Sequence, residues 1–249
     1  MIENKVNVLD HGYVVLRNLA GPTRRQTVPG LENEEGWLRA FDADDTDVAN
    51  AARMSFGNMD GDRTYAQEMK LTAYLWKNFH ATPFESIVVW LEYKLPIFCA
   101  RQFHRHRTQS INEISGRYVT LPAEWYIPEV VGGKAVDKKQ GQVDNLDLEA
   151  QAKFKRVLHD HCAAGYESYL AAMAIGVAPE HARMLLSLNH YTRYMTTVNL
   201  RNLLGFLLLR DHGHAQIEAQ AYAKAIIELL TPHIPGIMGV WENFRTDKA

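Results

Sequence analysis

The sequence predicts an α+β fold, mixed helices around a small antiparallel-type sheet, in one domain covering residues 1–249. Three observations carry this. Residues 86–94 alternate with period two, Val89, Leu91 and Tyr93 facing one way and Trp90, Glu92 and Lys94 the other. Residues 190–198, HYTRYMTTV, are β-branched and aromatic, the composition of a strand. Helical stretches do not alternate regularly with these strands, which argues against a doubly wound sheet.

The elements follow in chain order. Residues 5–19 read as strand, turn and strand, the turn falling at Asp10-His11-Gly12. Residues 20–36 form a polar loop rich in Gly and Pro. Residues 64–79 are a helix with Tyr65, Met69, Thr72, Trp76 and Phe79 on one face. After the 86–94 strand, Pro96 opens a short helix reaching about His104. Residues 129–146 are a polar, glycine-bearing loop. Residues 147–174 form a long helix with Phe154, Leu158, His161, Tyr169 and Ala172 along one stripe, and Pro179 starts another. Helices at 199–210 and 215–230 follow the second strand, and Pro232 stops the last of them. The sequence beyond Pro232 carries no clear signal.

Composition excludes several classes. Hydrophobic residues are 47%, charged residues 22% and formal net charge −2, so no global basic field recruits nucleic acid and any anion site must be local. The two cysteines, Cys99 and Cys162, sit in apolar or helical stretches and form no CxxC, which fits a reducing, cytoplasmic setting. The N-terminus reads as neither signal nor transit peptide, and the strongest apolar run, 199–210, is interrupted by Asn199, Arg201, Asn202 and Arg210.

Chemistry concentrates at residues 101–118, RQFHRHRTQSINEISGRY, whose first seven residues hold three arginines and two histidines. Guanidinium forks match oxyanions bidentately, so the cluster suits a phosphate or pyrophosphate. The alternative is a solvated basic helix end or an RNA-binding patch. Against that, Phe103, Ile111 and Ile114 tie the segment to apolar surroundings, and Asn112, Glu113 and the serines form a mixed donor and acceptor set that an electrostatic patch does not need.

Arg105-His106-Arg107, seven residues, then Ser115 is a motif that resembles the signature of flavin-dependent thymidylate synthases. Ser110, Asn112, Glu113, Arg117 and Tyr118 match the longer pattern. AARMSFG at 51–57, carrying Ser55, resembles the family's N-terminal segment, and His80-Ala-Thr-Pro-Phe-Glu85 its HxTPFE-type segment. ARMLLSLNHYTRY and VNLRNLLGFLLLRDHGHAQIE are similar to its C-terminal region.

The resemblance implies an enzyme that methylates dUMP to dTMP, with 5,10-methylenetetrahydrofolate as carbon donor and NADPH-reduced FAD as hydride source. It implies a homotetramer with active sites shared between subunits. Gln102, Phe103, His104 and Arg105, with Glu113, Ile114, Ser115, Gly116, Arg117 and Arg183, would bind dUMP. Arg105, His106, Arg107 and Glu113 would line the FAD site, as would Ser55, His80, Thr82, Asn199, Leu200, Arg201, Gly205 and His214. His80 and Thr82 would lie beside both flavin and folate. Arg210 would be the catalytic residue, set against the uracil ring. Gly205 stands where the family often has a polar residue facing FAD. Ser187, where proline is common, reads as structural.

A geometric check bears on this. At about 100° per residue, Arg210 lies about 20° from Asn199 on a helix, while Arg201 lies about 200° away. One helix does not send all three into one small pocket, so sites formed between subunits make the set reasonable. The alternative role for Arg201 is a salt bridge. For Arg210 it is a helix C-terminal cap, with Asp211 as a surface partner.

Thymidylate synthesis must activate a poor uracil carbon, and a cysteine thiolate is one way. Cys99, near the arginines, and Cys162 both read better as small core residues. Arg210 would instead stabilise charge developing on the pyrimidine. Ser115 reads as a dUMP hydrogen-bonding residue rather than a nucleophile. The His-x-His pairs at 104/106, 159/161 and 212/214 raise a metal hydrolase as the runner-up, but residues two apart on a helix do not face each other, and no metal site is expected. Nor does any GxGxxG follow a strand, so FAD would not be held in Rossmann style.

Overall fold

The computed structural model describes residues 4–22, 43–57, 62–134 and 142–246. Strands β1 (Lys5–Val8), β2 (Gly12–Ala20), β3 (Val88–Pro96), β4 (Gln109–Glu113) and β7 (Tyr191–Asn199) form one sheet in the order β1-β2-β3-β7-β4. Every neighbouring pair in it is antiparallel. A separate two-stranded ribbon joins β5 (Gly132–Lys134) to β6 (Gln142–Asn145). The helices are α1 (Asp47–Arg53), α2 (Tyr65–Lys77), α3 (Thr82–Glu85), α4 (Ile97–Phe103), α5 (Leu148–Ala174), α6 (Pro179–Ala182), α7 (Leu200–Arg210), α8 (Ile217–Leu230) and α9 (Pro235–Thr246). None of the described helices is long and apolar enough to cross a membrane.

The predicted alternation on β3 places Val89, Leu91, Tyr93 and Leu95 in the core. On β2 the buried set runs Val14, Leu16 and then Leu19, because a bulge between Leu16 and Asn18 changes the parity of the strand. Gly12 opens β2 where α8 presses on the turn. A Cβ there would lie 2.0 Å from Tyr222 Oη, and that hydroxyl donates to Lys94 O at 2.7 Å. Only glycine admits this approach.

Several expectations need correction. The buried line of α2 is Glu68, Thr72 and Leu75, whereas Tyr65 and Phe79 are exposed. Glu68 is drawn inward by Arg53, 2.5 Å away, and Phe79 lies past the helix end. The buried residues of α5 are Gln151, Cys162 and Tyr169, while Phe154 and His161 face solvent. This helix meets the rest of the chain at a few polar anchors: Gln151 bonds Val131 N and Leu146 O, and Tyr169 Oη accepts from Leu121 N. The 129–146 loop contains the β5–β6 ribbon. The 20–36 loop lies outside the described residues from 23 onward. Helix α9 had no sequence signal at its start because its cap is distant: Asp45 accepts from Gly236 N and Ile237 N, both at 2.8 Å.

Candidate active site

The site is built where α4 ends. Phe103 is fully buried among Tyr93, Phe206 and Tyr222 rings, which fixes the backbone on either side of it. Gln109 Nε2 donates to Phe103 O at 3.0 Å and ties the turn to β4. With Phe103 as anchor, Arg105 and Arg107 project into solvent while His106 turns back over the Phe206 ring, centroids 4.7 Å apart.

Arg210 ends α7 and reaches this turn. Its Nε donates to His106 Nε2 at 3.1 Å, and its Nη2 to Gln102 O at 3.1 Å. Burial holds His106 below its ordinary pKa, and the adjacent guanidinium lowers it further, so the ring is the neutral acceptor this bond requires. Asp211 pairs with Arg245, not with Arg210. The guanidinium is therefore fixed in a half-buried position, with the rest of its fork available to a ligand.

Cys99 lies beneath this turn with no exposure. Burial pushes its thiol far above the ordinary range, and Glu218 raises it more than Arg210 lowers it. A neutral buried thiol is a poor nucleophile. Cys162 bonds Ser187 Oγ and Asn189 Oδ1, both at 3.3 Å, which gives Ser187 its structural role. Replacing both cysteines by alanine should leave turnover measurable in the folded variant, since neither thiol is set up to attack a substrate. Complete loss of turnover in that variant would return the attack to a thiol.

A second cluster follows β4. Ser115 Oγ accepts from Arg117 N at 3.3 Å, so the hydroxyl shapes a turn. Gly116 is buried under Arg183, whose Cδ would stand 3.4 Å from a Cβ placed there. Ser115, Arg117 and Arg183 thus share one small surface. Arg117 meets Glu180 at 3.4 Å, but both side chains are about half exposed and the pair is weak. Glu113 is steadied by Thr192, whose hydroxyl donates at 2.5 Å.

The remaining predicted residues fall in three places. Arg107 and Asn199 line one open pocket of about 250 Å3, and Asn199 also caps α7 by accepting from Asn202 N at 2.9 Å. His80 and Arg201 line another cleft, where Arg201 stacks over Trp76 at 5.2 Å and, among the described residues, forms no salt bridge. Ser55, Thr82 and His214 are exposed. Thr82 opens α3, which packs on both α1 and α7. Leu200 is fully buried and its N–H is bonded to Ile87 O, so its side chain reaches no ligand within one subunit. A Cβ at Gly205 would have one neighbour within 4 Å among the described residues, Arg201 Nη1 at 3.6 Å. Among the described residues no three metal-ligand side chains converge.

Four contributors escaped the sequence reading. Phe206 carries His106, and its i,i+4 spacing from Arg210 is a signal that was available. Gln216, which accepts from Gln102 Nε2 at 2.5 Å, Glu218, and Thr192 lie within the C-terminal segments that carry the family resemblance, where no spacing of residue types singled them out.

An α+β chain that gathers arginines around fixed turns is of a class suited to anionic ligands. Residues 38–236 match the family model described as thymidylate synthase complementing protein, Thy1. The chain is 37% identical over 253 residues to a flavin-dependent thymidylate synthase of Rickettsia conorii, covering 91% of this chain and 85% of that one. It is 41% identical over 226 residues to the enzyme of that name from Thermus thermophilus, covering 90% and 81%. The fold is similar to the crystal structure of a UMP/dUMP methylase, PolB, from Streptomyces cacaoi bound with 5-Br dUMP, with a TM-score of 0.79, 23% identity and coverage of 96% and 97%. The chain belongs to the flavin-dependent thymidylate synthase family.

Proposed function

We propose that this chain methylates dUMP to dTMP and that Arg210 supplies the electrostatic activation of the uracil ring. The observation that carries this is the fixed, half-buried Arg210 guanidinium beside a thiol that burial keeps neutral. Ser115, Gly116, Arg117 and Arg183 hold the nucleotide, the arginines taking its phosphate in charge-assisted bonds. Gln102 to Arg105 and Glu113 orient the base, Glu113 being held by Thr192.

The residues fit FAD. Arg105 and Arg107 are exposed forks suited to a pyrophosphate, and Arg107 shares a polar pocket with Ser110, Thr197 and Asn199. On the nucleotide side, His104 Nε2 is buried without a hydrogen-bond partner among the described residues, which suits it to the base rather than to the flavin. FAD reduced by NADPH supplies hydride equivalents when bound, and 5,10-methylenetetrahydrofolate supplies the carbon. The protein's own task is to bind and orient dUMP and to place Arg210's positive charge where negative charge develops.

Shared sites in a homotetramer belong to this reading. Arg201 and Arg210 lie about 180° apart on α7, so they serve different pockets of one subunit. Exposed Leu148, Val157 and Ile175 on or just after α5, with Met184 and Leu188 beyond it, offer apolar surface for subunit contact. Free, buried Cys99 and Cys162 support a cytoplasmic setting.

The purified protein should carry a flavin absorption spectrum, or acquire one on addition of FAD, and hold no stoichiometric zinc. A colourless protein that ignores FAD and retains tight zinc would favour the hydrolase.

A further inference from the structure

We propose that Glu180 is a displaceable guard of the phosphate subsite. In the free enzyme its carboxylate pairs with the Arg117 guanidinium that an incoming phosphate must take, and phosphate binding breaks that pair. This rests on the dUMP reading above and deepens it by giving the subsite a regulating residue.

Glu180 touches both arginines of the subsite. Its Oε2 stands 3.4 Å from Arg117 Nε, and its backbone carbonyl accepts from Arg183 Nε at 3.3 Å. The arginines come from separate parts of the chain. Arg117 follows β4 on the turn that Ser115 Oγ shapes, and Arg183 follows α6 and lies over Gly116. Both side chains thus make a polar contact with one residue, Glu180, through different atoms of it. The contact to Arg183 uses the backbone and persists whatever the side chain does. The contact to Arg117 uses the carboxylate and can be exchanged.

A carboxylate and a phosphate present the same kind of oxyanion to a guanidinium fork, so the two compete for Arg117. They do not share it comfortably, because a phosphate brought beside Glu180 sets like charges together. The fold has little need of the pair. The Arg117 and Glu180 side chains are 52% and 51% exposed, and an exposed ion pair of this kind adds little to stability. That weakness is what displacement requires, since a buried pair would hold Arg117 against the ligand. The competition weakens every phosphate ligand by the same factor. dUMP brings base contacts as well and stays bound, whereas an inorganic anion held by the arginines alone is kept off. Glu180 therefore acts as a specificity-determining residue that favours a nucleotide over bare phosphate.

The test uses the FAD-loaded enzyme as wild type, Glu180→Gln, Arg117→Ala and the double variant, titrated with dUMP, inorganic phosphate and deoxyuridine. Glu180→Gln keeps the backbone carbonyl that holds Arg183, so the turn should persist. It should tighten dUMP and inorganic phosphate about 2- to 6-fold, the range an exposed ion pair spans. Deoxyuridine, which has no phosphate, should bind as it does to wild type. In the Arg117→Ala background the same change should bring no gain, because the competition acts through Arg117. Unchanged or weaker dUMP binding in Glu180→Gln would overturn the proposal and make Glu180 a prop for Arg117, with dTMP synthesis left intact. A gain of equal size in the Arg117→Ala background would also overturn it, by showing a general field of the lost charge. The predicted gain in a protein whose wild type binds dUMP but forms no dTMP would support the guard and sink only the reaction.

Discussion

Arg210→Ala should lower turnover at saturating dUMP about 100- to 1,000-fold, the loss typical of removing one preorganised donor from developing charge. The fold should survive. As a helix cap, a cation at this position contributes about 0.3–1 kcal/mol, and its acidic neighbour Asp211 is already satisfied by Arg245. The flavin should remain, because the exposed Arg105 and Arg107 are untouched. Lysine keeps the charge but cannot donate to both His106 Nε2 and Gln102 O through a planar fork, so Arg210→Lys should recover only part of the rate. Thermal melting, flavin content and dTMP formation on the same samples decide the matter. A variant with wild-type turnover and a slightly lower melting temperature would reduce Arg210 to a cap.

Arg183→Ala should raise the KM for dUMP about 10- to 100-fold, on the scale of one charge-assisted hydrogen bond at about 1.5–3 kcal/mol. Arg183 covers buried Gly116 and, among the described residues, donates its Nε–H to the Glu180 carbonyl alone, at 3.3 Å. Its side chain is exposed, so deletion costs little in packing. The defect should therefore appear in KM for dUMP more than in flavin content or melting temperature. Initial rates against dUMP concentration, with Arg183→Lys beside Arg183→Ala, provide the check. An unchanged KM with lowered stability would make Arg183 a packing residue over the Gly116 turn.

The sheet was legible where a strand buries one face. The alternation on β3 and the β-branched run of β7 predict both central strands, and their partners follow from antiparallel pairing. Edge strand β4 was not legible, because QSINE has no apolar period and is held by β7 alone. Helix faces were harder. A charge pair moved Glu68 of α2 inward, and α5 buries few residues in one subunit, so its apolar positions do not mark a core stripe. At the site, Arg105 to Ser115 could be read because the motif is contiguous. Arg210's tie to His106 spans 104 positions, and no local pattern encodes it. Helical geometry did separate Arg201 from Arg210, and the two arginines do line different places, one over Trp76 and one at the end of α4.

The central claim is that a flavin-loaded site with Arg210, and no thiol, makes dTMP. Its most direct measurement is product formation by the FAD-loaded enzyme from dUMP, 5,10-methylenetetrahydrofolate and NADPH, with each component omitted in turn, alongside Cys99→Ala. dTMP should appear only when FAD, a reductant and the folate are all present, and Cys99→Ala should still form it. dTMP formed without flavin and abolished in a folded Cys99→Ala variant would contradict the account.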